Sequence, residues 1–133
     1  MSSTAREIRQ ALADQLVTHA AQVLVLQKMP QGALQRTPAA VLRRAGSDRR
    51  QFMGGPIAPT FDIVAVVSLA TEARAMEMDD LLDILVAAVE HDRTLGLPDV
   101  ECFVEQLGDE ERIEVGQQAY LGCPIRVPVN VGV

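Results

Sequence analysis

From Leu121 to Val131 the chain alternates without a break, with Leu121, Cys123, Ile125, Val127, Val129 and Val131 on one parity and Gly122, Pro124, Arg126, Pro128 and Asn130 on the other. A strict period of two is the pattern of an extended strand with one face on a core. The rest of the chain therefore has to supply a sheet for this strand and a layer to cover its apolar side. Pro124 and Pro128 share a parity, so both missing amides fall on the same side of the strand, where no regular ladder can form. That predicts an edge strand, protected against stray pairing.

The covering layer is legible elsewhere. Thr4-Ala5-Arg6-Glu7 fits a capping box, in which the Thr4 hydroxyl and the Glu7 carboxylate each satisfy a free backbone amide. Ile8, Leu12, Leu16 and His19 then recur at helical spacing, predicting an amphipathic helix that ends near Ala21. Asp79 and Asp80 read as the start of a second helix, where carboxylates meet free amides and the positive end of the dipole. Its apolar stripe is Met78, Leu82, Leu85 and Val89, widened by Leu81, Ile84 and Ala88, and Thr94-Leu95-Gly96-Leu97-Pro98 ends it.

Further strands are expected over Gln22 to Gln27 and Ala39 to Arg44, separated by the break Met29-Pro30-Gln31-Gly32. Phe61 to Leu69 is apolar on both parities: Phe61, Ile63, Ala65, Val67 and Leu69 on one, Val64 and Val66 on the other. This is the pattern of a central strand covered on both sides. Val100 to Leu107 and Arg112 to Val115 flank Gly108-Asp109-Glu110-Glu111, which predicts a hairpin with an acidic tip. Together these elements predict an α+β fold of one domain over residues 1–133: a single mixed, mostly antiparallel sheet packed by two main helices. A polar, arginine-rich loop is expected around residues 45–59, with Gly46, Gly54-Gly55-Pro56 and Pro59 as its breakers, and a loop of that length is either functional or disordered.

The net charge of −6 is unevenly spread. Residues 1–60 carry 8 basic and 3 acidic side chains (+5), and residues 61–133 carry 4 and 15 (−11). Such a chain can present complementary surfaces to copies of itself. Overall acidity, 3% aromatic residues and the lack of a basic helix disfavour specific nucleic-acid binding. No apolar run has the length of a membrane span and the first residues lack a signal-peptide core, so a soluble cytosolic protein is expected, with Cys102 and Cys123 as reduced core fillers.

Catalytic chemistry finds little footing. His19 and His91 stand in no metal-ligand spacing, Ser47 and Ser68 in no nucleophile elbow, and Asp79, Asp80 and Asp83 are accounted for by capping and solvation. The expectation is a non-enzyme with no metal and no cofactor. Four fixed positive charges remain, Arg43, Arg44, Arg49 and Arg50, bracketing a turn at the start of the long loop. The planar guanidinium fork suits bidentate contact with carboxylates, so these four are the candidate subunit or partner interface.

In the order of its parts the chain resembles the tail terminator and tail-completion proteins of long-tailed bacteriophages, the minor tail protein U type. The likeness covers nearly the whole length: the opening helix Arg6 to Ala20, a strand pair running into an arginine-rich loop, the long strand Phe61 to Leu69, the helix Met78 to Asp92 with Thr94-Leu95-Gly96 after it, and the closing strand Tyr120 to Val131. It departs from the pattern in the polar link carrying Pro30, Gly32 and Pro38. The resemblance implies a homohexameric ring that caps the tail tube, stops its polymerisation and offers a surface to the head-tail connector, made in the host cytoplasm and ending in the virion tail. The alternatives are another phage neck or tail-completion subunit, or a small cytosolic α+β domain that binds a ligand or acts as an enzyme.

Overall fold

The computed structural model describes residues 3–48, 58–69 and 72–132. Two helices, α1 (Ala5–His19) and α2 (Glu72–Glu90), pack on one face of a mixed sheet. Its strands are β1 (Leu24–Leu26), β2 (Ala39–Asp48), β3 (Ala58–Ser68), β4 (Val100–Cys102), β5 (Gln106–Leu107), β6 (Glu111–Val115) and β7 (Gln118–Val131). The order is β1-β2-β3-β7-β4, with β5 and β6 also on β7. Only β1 against β2 is parallel among these pairings.

The predicted capping box opens α1: Thr4 accepts from the Glu7 amide at 3.1 Å and the Thr4 amide donates to Glu7 at 3.3 Å. Ile8, Leu12 and Leu16 are buried as the spacing requires, but His19 is exposed, because α1 ends there and Ala20 turns in instead. The second helix begins at Glu72, not at Asp79. Glu, Ala, Arg and Met in residues 72–78 are all strong helix formers, so nothing stops the helix from starting earlier. Asp79 and Asp80 consequently stand in mid-helix, exposed to solvent. Met78, Leu81, Leu85, Ala88 and Val89 form the buried face, with Leu82 and Ile84 at its margin.

The end of α2 is closed by a side chain from the other helix. Gln15 of α1 donates through Nε2 to the carbonyl groups of Ala88, Val89 and Asp92 at 2.8, 3.0 and 3.1 Å, covering carbonyls that a helix end leaves without intrahelical partners. The helix stops at Glu90, before the Thr94 to Pro98 segment expected to end it, and Leu95 and Gly96, with φ of 53° and 73°, turn the chain in the connection to β4.

In the sheet, β3 is central as expected. Phe61, Ile63, Ala65 and Val67 face the helices, while Val64 and Val66 join Ala39, Val41, Val115 and Tyr120 in a second cluster on the outer face. Leu69 leaves the strand and is half exposed. The connection between β1 and β2 folds over this outer cluster, and the Leu34 amide donates to the Tyr120 hydroxyl at 3.1 Å.

Three expectations are corrected at the other side of β3. β7 is not an edge strand: it pairs with β3 from Thr60↔Pro128 to Ser68↔Tyr120 and carries β4, β5 and β6 on its opposite side. The proline argument holds for the ladder and fails for the edge. The carbonyls of Arg126 and Pro124 accept from the amides of Glu105 and Gly108, so that parity faces β4, β5 and β6. Pro128 falls between β4 and β5, and Pro124 between β5 and β6, which divides that side into three short pieces while leaving the β3 side continuous. Nor do residues 100–107 and 112–115 pair with each other. The hairpin is β6 to β7, through the two-residue turn Gly116-Gln117, where Gly116 has φ of 66°. The long loop is also shorter than the sequence predicts. β2 runs on to Asp48 and β3 starts at Ala58, with a register shift between Arg44 and Gly46, and Gly54-Gly55-Pro56 lies outside the described residues.

Candidate interaction surface

Residue pairing across three strands builds the most charged feature of the outer sheet face. Arg43 of β2 stands opposite Asp62 of β3, and Asp62 stands opposite Arg126 of β7. Their side chains share the parity of Val64, and so lie on the face away from the helices. Asp62 is 4% exposed, the sole buried charged residue among those described. Its two carboxylate oxygens accept from Arg43 Nη2 at 3.4 Å and from Arg126 Nε at 3.3 Å.

The energetics of this row are uneven. A buried carboxylate without a partner costs several kcal/mol, so Asp62 depends on its flanking guanidinium groups. The arginine side chains are 56% and 49% exposed, and contacts of that kind are worth only about 0.2–1 kcal/mol each in water. Two arginines share one carboxylate, leaving one positive charge in excess at the surface. Beside them, Gln106, Gly108 and Pro124 complete the lining of a shallow depression. Its floor is kept low at Gly108, where an added Cβ would meet the Pro124 ring at 2.6 Å.

The four arginines expected to form the interface are only partly brought to this place. Arg43 is in the row. Arg44 is exposed one residue further along β2, opposite Phe61. Arg49 and Arg50 lie outside the described residues. Sequence reasoning missed the other two members. Asp62 is a lone acid inside an apolar strand, and Arg126 is the one charge on the outer parity of the closing alternation, so both carried a signal.

Exposed negative charge lies on both sides of the sheet, and on the outer face Glu101 opposite Asn130 and Glu111 opposite Gly122 share the parity of Arg126. Asp79, Asp80 and Asp83 are exposed on α2, which covers the opposite face of the sheet from the arginine row. A second acidic group, Asp109, Glu110 and Glu111, is exposed between β5 and β6, at the place expected for the acidic tip.

The remaining reactive groups are inward or paired. Cys102 and Cys123 are free thiols in the main core, as predicted. Burial pushes the Cys102 thiol up to about 11 and raises that of Cys123 as well, and Cys123 Sγ donates to the Gly108 carbonyl. His19 and His91 stack at the ends of their helices, ring centroids 3.7 Å apart. Asp92 is lowered by the Thr94 hydroxyl and amide, a local cap on a turn, and Asp99 by the Ser3 hydroxyl and amide, a long-range contact that ties the start of the chain to the segment before β4. Among the described residues no three His, Cys, Asp or Glu side chains come together as metal ligands. No helix among them is long and apolar enough to cross a membrane. Neither a scan of the chain against models of known protein families nor a search of the curated proteins finds a match.

Proposed function

We propose that the protein is a structural assembly subunit of the phage tail terminator kind, whose copies join head to tail in a homohexameric ring that caps a tail tube, stops its polymerisation and presents its free side to a head-tail connector. One observation carries this reading: the excess positive charge of the Arg43-Asp62-Arg126 row lies on the outer sheet face, and the Asp79, Asp80 and Asp83 carboxylates lie on the helix side. Complementary patches on opposite sides of one subunit do not match themselves across a two-fold axis. They match the next copy, which is the contact that generates rings when the rotation closes. The α+β build, with a central strand and a closing strand under two helices, is consistent with the family resemblance in the order of its parts.

The direct test is to add the purified protein to polymerising tail-tube protein and image the product by negative-stain electron microscopy. Capping predicts a ring at one end of each tube and a length distribution that stops growing on addition. Tubes that keep elongating, with bare ends, contradict the proposal.

A further inference from the structure

The arginine row has donor capacity that the single Asp62 carboxylate does not use. Each guanidinium has five N–H donors, and Asp62 takes one from Arg43 and one from Arg126. The others have no acceptor among the described residues. The two arginines straddle Asp62 from the strands on either side, roughly 9–10 Å apart at the backbone, two interstrand spacings. The Asp62 contacts hold both forks beside the depression lined by Gln106, Gly108 and Pro124.

On α2, Asp79 and Asp83 stand four residues apart, which places them on one stripe with Cβ atoms about 6 Å apart. Both are exposed, and the stripe faces away from the core. The two motifs are opposite in charge and lie on opposite sides of the subunit. Resting on the ring reading above, we infer that the contact between successive copies is made by Asp79 and Asp83 of one copy docking on Arg43 and Arg126 of the next, with Asp62 as the positioning residue that holds the two guanidinium groups.

A pair of charge reversals tests this without asking either surface to be lost. Asp83→Arg lies on an exposed helix face, and Arg43→Glu leaves Arg126 in place to compensate Asp62. Sedimentation velocity of each variant alone is expected to show association weakened by about tenfold to a hundredfold, as an attractive charge contact becomes repulsive, with the thermal midpoint unchanged for Asp83→Arg and lowered for Arg43→Glu, which sets a second carboxylate beside the buried Asp62. Mixed one to one, the two variants are expected to co-assemble, because the reversed helix of one faces the reversed sheet of the other, while the remaining contacts in an alternating ring are wild type. A loss of association that mixing does not repair overturns the contact. Variants that each assemble like the wild type also overturn it, and leave the ring reading standing on some other surface. A wild-type protein that stays monomeric at every concentration overturns the contact and the self-assembling ring together.

Discussion

Gln15 shows how much of this structure hangs on single side chains that link separated elements. Its amide closes the last turn of α2 from α1, 73 to 77 residues away in the chain. No periodicity could have announced it, since a half-buried glutamine beside an apolar stripe reads as the polar margin of a helix. Cys102 is the opposite case, a residue whose role as core filler the sequence did carry, and its burial has a pH signature. With its folded thiol moved from 9.0 to about 11, the folded state keeps its proton where the unfolded chain has begun to lose it. The unfolded state then binds fewer protons, so stability is present in full below pH 9 and falls as pH rises towards about 11. Urea midpoints followed across that range are expected to decline in the wild type, and Cys102→Ala is expected to flatten the decline. A slope identical in the two proteins would contradict the assignment. The thiol should also resist disulfide reagents until the protein is unfolded.

Among the elements, the β6–β7 hairpin turns on one glycine. Gly116 has φ of 66°, and an added Cβ would stand 2.8 Å from the Ala33 amide nitrogen and from the Gly32 carbonyl carbon. Gly116→Ala is therefore expected to cost about 1–3 kcal/mol in chemical denaturation, from the left-handed backbone and the crowding together. A change of only a few tenths would mean that the connection between β1 and β2 does not pack on this turn. The same region shows where sequence reasoning stops. The alternation of residues 121–131 and the parity of its two prolines were legible, and they correctly forbade a regular ladder on one side. They could not show that three short strands would use the intervals between the prolines, because strand pairing is a long-range choice made by β4, β5 and β6. The start of α2 was misplaced for a related reason. Paired aspartates are good caps, but the helix formers before them extend the helix, and the charges become surface.

At the scale of the whole molecule, charge segregation by sequence and charge segregation in space are not the same thing. The basic half of the chain supplies Arg43, yet the row on the sheet is completed by Asp62 and Arg126 from the acidic half, brought together by the β2-β3-β7 register. The sequence held the totals and the parity of each charge; only the sheet order decides which of them become neighbours. The result is a subunit with a net-positive arginine row on its outer sheet face and an acidic stripe on its helix layer. Contacts of that kind gain on-rate and specificity from complementarity and weaken with salt, since exposed charges are screened beyond roughly 8 Å at physiological ionic strength. The mass of the protein in solution, measured by light scattering over a range of protein and salt concentration, therefore tests the head-to-tail ring most directly. Such a ring predicts a hexamer that grows in with concentration and dissociates as salt is raised. A strict monomer throughout, or an oligomer indifferent to salt, would contradict it.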